Sequence, residues 1–373
     1  MSQQPMRILQ VIGAMDRGGA ETFVMNLYRN VDRAKIQFDF LVNENRECDY
    51  DAEIREMGGH IYRIPRYNLV NGIQYKKACR DFFRLHRYPV VHGHIGLPAS
   101  IYLSEAGKRG SFTIAHSHSQ NFPISIEEAA FRICSHRVRS VADYFLACSR
   151  EAGIDRFGGS IVSGDLFHIL NNGVDAKALA FSVDSRKDIR SELGISEDVP
   201  VFGHVGRLTE VKNHRFLLEV FSALNQKLPE SKLLLVGRGE LEAQLHEEVA
   251  KAGLEDSVLF LGVRNDIPAI LSAIDVFLFP SLSEGLPCAV IEAQASGLPS
   301  LLSTGVPGLA SILPLTKRLD LSKGSDAWAE EAEIMYVTSL MIDRLSAKSY
   351  IYKAGFDIEE SAAWIQEFYL RHA

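Results

Sequence analysis

Two glutamates, Glu284 and Glu292, lie eight positions apart in the segment PSLSEGLPCAVIEAQASGLP and are the strongest candidates for chemistry in the sequence. Gly285 keeps the start of this segment open, and Pro287 predicts a helix start because proline is favoured in the first helical turn. Eight helical residues rise ~12 Å, which is on the order of the length of a nucleotide sugar. One carboxylate could therefore hold hexose hydroxyls and the other ribose hydroxyls, with helix N–H groups facing a diphosphate. An amphipathic helix with two solvated glutamates is the alternative interpretation.

A pair of cations, Arg207 and Lys212, follows a predicted strand in VFGHVGRLTEVKNH and precedes a predicted helix. Five positions apart across a turn, the two side chains could converge on one diphosphate, the arginine as a bidentate donor and the lysine as a point charge. Cations already in place stabilise the charge that a departing nucleotide diphosphate gains, without a metal ion. The alternative is a solvated surface pair.

A glycine-rich loop at 13–19 separates the first predicted strand from the first predicted helix and includes Gly18 and Gly19. Such loops let backbone amides approach a phosphate or a sugar closely. The GxGxxG pattern and the acidic residue of a dinucleotide site are both absent. The sequence therefore disfavours an NAD-dependent dehydrogenase.

Histidines mark the ends of two predicted strands, with His92 and His94 on one and His116 and His118 on the next. His116 could donate to a sugar hydroxyl, although a structural hydrogen-bonding role is an equal alternative. Because no cysteine or acidic ligand lies nearby in the sequence, all four are predicted not to bind metal. The string DYD at 49–51 resembles a metal-binding pattern of another fold, but we interpret it as a helix cap with first-turn acids.

Short apolar runs alternate with helical patterns along the chain, which is typical of parallel βα units. Strands are predicted at 7–13, 38–42, 60–64, 90–94, 112–116, 144–148, 201–205, 232–236, 258–261 and 275–279. Helices are predicted at 20–30, 73–87, 126–139, 213–227, 241–251 and 358–371. In such sheets ligands bind beyond the carboxyl ends of the strands, where the residues singled out above lie.

The sequence predicts an α/β protein with two Rossmann-like, doubly wound parallel-sheet domains facing a central cleft. A charged, turn-rich stretch at 176–199 places the boundary between a domain at 1–176 and a second domain at 177–350. The remainder, 351–373, is predicted to form a helix that packs back towards the first domain. With 373 residues, 46% of them hydrophobic, the chain has enough apolar material for two cores.

Composition indicates in which cellular compartment the protein is found and which classes of binding partner it has. The net charge of −7 and the lack of a long basic tract argue against nucleic-acid binding, and five irregularly spaced cysteines indicate a reducing compartment. No signal peptide and no long apolar span are visible, so the protein is expected in the cytoplasm or peripherally at the inner face of the cell membrane. The basic, amphipathic helix at 73–87 could contact an anionic membrane through lysines and arginines around Phe82, Phe83 and Leu85, or could simply be a solvated face.

Taken together, five motifs resemble family 4 glycosyltransferases of the GT-B fold over essentially the whole chain. They are GGAE at 18–21, the histidine after the fifth strand, NNGVD at 171–175, Arg207 with Lys212, and Glu284 with Glu292. The segments AHSHS and ACSREAG are similar to enzymes of bacterial exopolysaccharide and capsule assembly. The segment TGVPGLAS differs because it lacks an acidic residue that relatives often carry.

The resemblance implies a retaining hexosyltransferase that takes the sugar from a nucleotide diphosphate donor, with a UDP-sugar as the best candidate. The domain at 1–176 would bind the acceptor, a saccharide or a lipid-linked saccharide, and the domain at 177–350 would bind the nucleotide sugar. No cofactor or metal is expected. Glu284 would contact the hexose and Glu292 the ribose, Arg207 and Lys212 the diphosphate, and His116 would lie beside the donor sugar. The other implied donor-binding residues are Gly18, Gly19, Arg264, Ile267, Gly285, Leu286, Pro287, Cys288 and Ala289.

Two other classes of function stay open. A non-catalytic nucleotide-sugar-binding subunit could assist a partner glycosyltransferase, although the intact glutamates and cations argue against it. A sugar-nucleotide epimerase can share the two-domain architecture.

Overall fold

The chain forms two compact units, one of residues 1–173 with 358–373 and the other of residues 174–357. A computed structural model describes residues 4–68, 70–94, 96–118 and 136–373. Each unit is built on one parallel sheet with helices between its strands. The predicted α/β class with two parallel-sheet domains is therefore confirmed.

The first unit contains a seven-stranded sheet in the order β3-β2-β1-β4-β5-β6-β7. Its strands are β1 Met6–Ile12, β2 Ile36–Val42, β3 Ile61–Arg63, β4 Val90–His94, β5 Phe112–Ser117, β6 Tyr144–Ala147 and β7 Phe167–Ile169. Its helices are α1 Gly19–Asn30, α2 Asp51–Glu56, α3 Gly72–Leu85, α4 Ala99–Gly107, α5 Arg150–Phe157 and α6 Gly159–Val162, and α14 Ile358–Arg371 is described with this unit. Every strand pairing in the sheet is parallel, so the carboxyl ends of its strands share one edge.

The core of the first unit joins distant parts of the chain. Side chains of β1, β2 and α1 pack with Ile358, Ile365, Phe368 and Tyr369 from α14 in one buried cluster. The amphipathic pattern of α14, with buried residues on one face, is what lets the helix cover this core. The last helix is thus a structural part of the first unit.

The second unit contains a six-stranded sheet in the order β10-β9-β8-β11-β12-β13. Its strands are β8 Val201–Val205, β9 Lys232–Val236, β10 Val258–Gly262, β11 Val276–Phe279, β12 Ser300–Ser303 and β13 Thr316–Leu319. Its helices are α7 Val183–Glu192, α8 His214–Lys227, α9 Glu242–Ala252, α10 Ile267–Ala273, α11 Cys288–Ala295, α12 Gly324–Ser339 and α13 Ala347–Lys353. The strand order reverses between β8 and β11, as in a doubly wound sheet.

Three predictions differ from the structure in detail. The stretch 176–199, which the sequence marks as charged and turn-rich, contains α7, whose N-terminus is capped by Ser182 and whose residues Ile189 and Arg190 are buried. The first unit ends at Gly173, and the segment 351–357 lies with the second unit, so the return to the first unit begins at Ile358. Most of the helix predicted at 126–139 lies outside the described residues, while Arg137–Ser140 form a 3-10 turn.

Candidate active site

The loop from β8 to α8 carries the predicted cation pair. After β8, residues Glu210–Lys212 form a short 3-10 turn, and Asn213 then adopts a left-handed conformation with φ 57° before α8 begins. The Asn213 side chain donates to the Pro280 carbonyl at 3.2 Å, which ties this turn to the loop after β11. Asparagine tolerates the left-handed region better than most residues, so the sequence suits the turn.

Lys212 and Glu284 meet in an ion pair. The Lys212 Nζ lies 2.6 Å from Glu284 Oε1, although the two residues are 72 positions apart along the chain. The Ser281 hydroxyl donates to the same oxygen at 2.7 Å. Both described hydrogen bonds thus fix Oε1, and the carboxylate is held in one orientation with Oε2 as its second acceptor.

Backbone contacts hold the glutamate loop. The Glu284 amide donates to the Gly305 carbonyl at 3.0 Å, and the Leu282 amide donates to the Val211 carbonyl at 2.8 Å. A Cβ on Gly305 would lie 2.4 Å from the Leu282 carbonyl oxygen, so only glycine fits there. Sequence reasoning missed Ser281 and Gly305. The three-residue spacing of Ser281 and Glu284 was the available signal for the first of them.

Helix α11 begins where proline predicted a helix start. Pro287 is the N-cap and Cys288 the first helical residue, with Leu286 and Cys288 buried and Gly285 and Ala289 half-buried. The first turn of a helix carries N–H groups outside the intrahelical pattern and a positive dipole end, which suit an anion. Glu292 lies on the same helix and is half-buried.

A neutral aromatic platform lies beneath Lys212. Its Nζ is 4.7 Å from the centroid of the Phe279 ring, which stacks on His204, and His204 in turn meets His214 edge-on at 4.7 Å. Burial, together with the positive charge of Lys212, lowers the pKa of His214 to about 4 and that of His204 well below its usual range. Both rings are therefore uncharged at neutral pH and leave Lys212 as the local positive charge. Sequence reasoning did not single out either histidine.

Arg207 and Arg264 differ in their surroundings. Arg207 is exposed in the same loop as Lys212 and pairs with no carboxylate within the described ranges. Arg264 instead pairs with Asp266 at 2.6 Å and Glu192 at 2.7 Å, and these contacts raise its pKa. Its predicted place beside a nucleobase would require the planar guanidinium face, because the N–H groups are engaged. Ile267 is half-buried at the start of α10.

In the first unit, Gly18 is the N-cap of α1 and Gly19 its first residue. A Cβ on Gly18 would lie 2.3 Å from a Glu21 carboxylate oxygen, the far end of a flexible side chain that would have to move aside. The Arg17 amide in this loop donates to Asp49 at 3.1 Å, and the buried Asp51 accepts from the Cys48 amide at the start of α2. The DYD string thus serves local structure, although the N-cap of α2 is Tyr50 and not an aspartate.

The histidines of β4 and β5 are largely enclosed. His92 and His116 are fully buried and His94 nearly so, while His118 lies just past the end of β5 and is half-buried. Burial lowers the pKa of His116 well below its usual range, so the ring is neutral. Candidate ligand nitrogens of His92, His94 and His116 lie within 4.8 Å of one another, a spacing that does not by itself exclude a cation. Their predicted lack of a metal stays a prediction.

Two other surfaces of the first unit hold no predicted donor-binding residue. A pocket of about 490 Å³ opens beside the amino ends of the strands, where Arg7 and Asp39 pair at 2.5 Å and so satisfy each other. On α3, Phe82 and Phe83 are buried in the core, which corrects the prediction that they lie on a membrane-facing surface. Among the described residues, no helix has the length and apolar character needed to cross a bilayer.

Comparison with known proteins matches both units to glycosyltransferases. Residues 17–178 match the family described as Glycosyltransferase Family 4, and residues 185–335 match Glycosyl transferases group 1. The putative glycosyltransferase EpsF of Bacillus subtilis is 34% identical over 336 residues, which cover 88% of each chain. The UDP-Gal:alpha-D-GlcNAc-diphosphoundecaprenol alpha-1,3-galactosyltransferase of Escherichia coli is 40% identical over 321 residues, covering 76% of this chain and 78% of the relative.

Solved structures show the same architecture. Anabaena Alr3699/HepE in complex with UDP-glucose aligns with a TM-score of 0.79 at 19% identity, covering 98% of this chain and 100% of that one. A sucrose-phosphate synthase from Thermosynechococcus elongatus aligns with a TM-score of 0.75 at 19% identity, over 98% of each chain. With its whole-length relatives, its two matched families and its pair of parallel α/β units, the chain belongs to glycosyltransferase family 4 and has the GT-B fold.

Proposed function

We propose that this glycosyltransferase transfers a hexose from a UDP-sugar to a saccharide or lipid-linked saccharide, with retention of the anomeric configuration. The observation that carries the proposal is the cluster of Lys212, Glu284 and Ser281, next to the first turn of α11 and the exposed Arg207. It joins a positive charge suited to a diphosphate with a fixed carboxylate suited to sugar hydroxyls.

In this mechanism, the bond from the hexose C1 to the phosphate oxygen breaks while a bond from C1 to the acceptor oxygen forms. Arg207, Lys212 and the start of α11 stabilise the negative charge that develops on the leaving UDP. The leaving phosphate takes the proton of the acceptor hydroxyl on the same face of the sugar, which retains the configuration. Glu284 holds the hexose through Oε2, since Lys212 and Ser281 fix Oε1.

The remaining donor contacts follow the sequence predictions. Glu292 binds the ribose hydroxyls, and the backbone of Gly285 to Ala289 faces the diphosphate. Gly18, Gly19 and His116 come from the first unit, and Arg264 and Ile267 border the base. The pair of cations supplies the charge that a divalent ion supplies in other transferases, so we expect activity to persist in EDTA. A loss of activity in EDTA that added Mg²⁺ or Mn²⁺ restores would refute metal independence.

The names of the relatives support the donor and the acceptor. One relative in Escherichia coli is named for UDP-galactose and a diphosphoundecaprenol-linked acceptor, and Alr3699/HepE was solved with UDP-glucose. The likeness to EpsF fits a role in exopolysaccharide assembly. We extend these properties to this chain as part of the proposal.

The test is a panel of UDP-hexoses incubated with the purified chain and undecaprenyl-diphosphate sugars, followed by NMR of the product. Formation of UDP and of a new linkage with the anomeric configuration of the donor is expected. An inverted linkage would refute retention. Free epimer without UDP release would favour an epimerase, and donor binding without turnover on any acceptor would favour a non-catalytic subunit.

We further propose that the protein works in the cytoplasm at the inner face of the membrane, with α3 as the contact. Val70, just before this helix, and Ile73, in its first turn, are 90% and 91% exposed. Exposed lysines and arginines follow on the helix, namely Lys76, Lys77, Arg80 and Arg84. Co-sedimentation with anionic vesicles should fall when Lys76 and Lys77 become glutamate, whereas Lys227→Glu on α8 should leave it unchanged. Equal binding to neutral vesicles would refute the proposal.

A further inference from the structure

A network of hydrogen bonds at the carboxyl edge of the first sheet joins four imidazoles to an amide and a phenol. The four rings belong to His92 and His94 on β4 and to His116 and His118 on or just after β5, where the pairing of the strands sets His94 beside His116. Gln10 reaches the rings from β1 and Tyr369 from α14. Both Gln10 and Tyr369 are buried.

The network has two arms, one that begins at Tyr369 and one that begins at Gln10. On the first arm, the Tyr369 hydroxyl lies 2.5 Å from His92 Nδ1, and His92 Nε2 lies 3.1 Å from His116 Nδ1. On the second arm, Gln10 Oε1 lies 2.9 Å from His94 Nε2, and His94 Nδ1 lies 2.7 Å from His118 Nε2. The Gln10 amide nitrogen donates to the Tyr369 hydroxyl at 3.2 Å and so connects the arms.

Each ring carries one proton. Burial lowers the pKa of His92 to about 3 and that of His118 to about 4, and it lowers the pKa of His94 and His116 well below the usual range. A neutral imidazole has one N–H donor and one acceptor nitrogen. A hydrogen bond at one nitrogen therefore decides the role of the other.

The Gln10 amide sets the direction of both arms. Its oxygen can only accept, so His94 carries its proton on Nε2 and accepts at Nδ1 from His118 Nε2–H. The Tyr369 hydroxyl accepts a hydrogen bond from the Gln10 amide nitrogen and donates its single proton to His92 Nδ1. His92 then donates from Nε2 to His116 Nδ1.

The first arm ends at His116. Because its Nδ1 accepts, the proton of His116 must lie on Nε2, which is buried and makes no hydrogen bond to any residue of the described ranges. A buried N–H without an acceptor is costly in a folded protein, so its presence calls for a partner. A hydroxyl oxygen of a bound sugar is such an acceptor.

We propose that Gln10 and Tyr369 are positioning residues that lock all four histidines in the Nε2–H tautomer, so that His116 is kept as a hydrogen-bond donor for a sugar hydroxyl. The role of the sugar hydroxyl rests on the proposed function, whereas the tautomers follow from the hydrogen bonds alone. The imidazoles of His92, His94 and His116 are also close enough together to be candidate ligands of a cation, but in the locked network both nitrogens of His92 and of His94 are already hydrogen-bonded. The tautomer lock therefore competes with binding of a cation by these rings.

The test is two-bond ¹H–¹⁵N NMR of the full-length protein labelled on histidine, which distinguishes the two tautomers of each ring. The wild-type protein should show Nε2–H on all four rings. Tyr369→Phe should leave His92 and His116 without a single tautomer, while His94 and His118 keep theirs. Tyr88→Phe is the matched control, because it removes a buried hydroxyl 2.9 Å from Asp39 and away from the rings.

Activity gives a second readout. Relative to Tyr88→Phe, Tyr369→Phe should lower kcat by about tenfold or more and change KM for the donor little. Tenfold is about the smallest loss of activity expected when a metal-bound histidine loses its supporting hydrogen-bond partner, and we use it as the scale here. A wild-type spectrum with Nδ1–H on His116, unchanged tautomers in Tyr369→Phe, or one equivalent of Zn²⁺ retained on the purified protein would each overturn the proposal. If the wild type uses no nucleotide sugar, the proposed function fails, and the spectrum still decides the tautomers.

Discussion

Replacing Lys212 with alanine removes a positive charge that has two roles. Its Nζ supports Glu284 at 2.6 Å in the described structure, and in the proposed reaction it stabilises the leaving diphosphate. The side chains of Lys212 and Glu284 are only 19% and 12% exposed, so solvent screens their pairing weakly. We therefore expect effects on both stability and catalysis, and the two can be separated.

The stability loss follows from the carboxylate left behind. Glu284 would keep the Ser281 hydroxyl but lose its counter-charge, which costs about 1–3 kcal/mol for a mostly buried group. Glu284→Gln in the Lys212→Ala background should restore part of that loss, because the unpaired charge is gone. Chemical denaturation of both variants measures this difference.

Catalysis should respond differently. Removing one preformed donor from a developing oxyanion lowers turnover by ~10²–10³-fold, or about 2.7–4 kcal/mol. The double variant should stay inactive even though its stability recovers. Lys227→Ala is the matched control, since it breaks an exposed ion pair with Glu333, in which the two side chains are 43% and 35% exposed and solvent screens the attraction. If Lys212→Ala turns over UDP-sugar within threefold of Lys227→Ala, the assignment is refuted.

Two further perturbations probe the supporting structure. Gly305→Ala would place a Cβ 2.4 Å from the Leu282 carbonyl oxygen and should cost about 1–3 kcal/mol in thermal or urea unfolding, whereas Gly159→Ala, with no atom within 4 Å of its Cβ, should cost little. Equal stability of these two variants would contradict the tight fit. Burial lowers the pKa of His118 and His214 to about 4 each, so the unfolded chain binds more protons than the folded chain below pH ~6.5. The free energy of unfolding should therefore fall as the pH drops from ~6.5 to ~4, by up to ~1.4 kcal/mol per pH unit for each histidine. Urea unfolding at pH 7.5, 6.5 and 5.5 measures it, and an unchanged free energy between pH 6.5 and 5.5 would contradict buried neutral rings.

Several buried strands were predictable from the sequence, whereas the polar edge strand β13 was not. The limits of β4, β8 and β9 match the prediction, because each contains adjacent apolar residues that the sheet buries, VV in β4, VF in β8 and LLLV in β9. Strand β13 has the sequence TKRL at the edge of its sheet and shows no apolar period. Only its pairing with β12 makes it a strand.

The sequence singled out Lys212 and Glu284 as candidates, but it did not predict the direct contact between them. Proline before Cys288 correctly predicted the start of α11, because this rule is local. The bond between Lys212 and Glu284 depends on how β8 and β11 lie side by side, which no local pattern records. The burial of His116 was missed for the same reason, since it follows from the packing of β4 and β5 in the sheet.

The order in which the chain is synthesised bears on how the first unit can mature. Residues Ile358, Ile365 and Phe368 fill its interior, yet they emerge from the ribosome only after the whole of 174–357. The core of the first unit therefore stays incomplete, with an apolar face uncovered, while residues 174–357 are translated. Chaperone dependence during expression, and loss of soluble yield on deletion of 358–373, are the practical consequences for anyone who produces this enzyme.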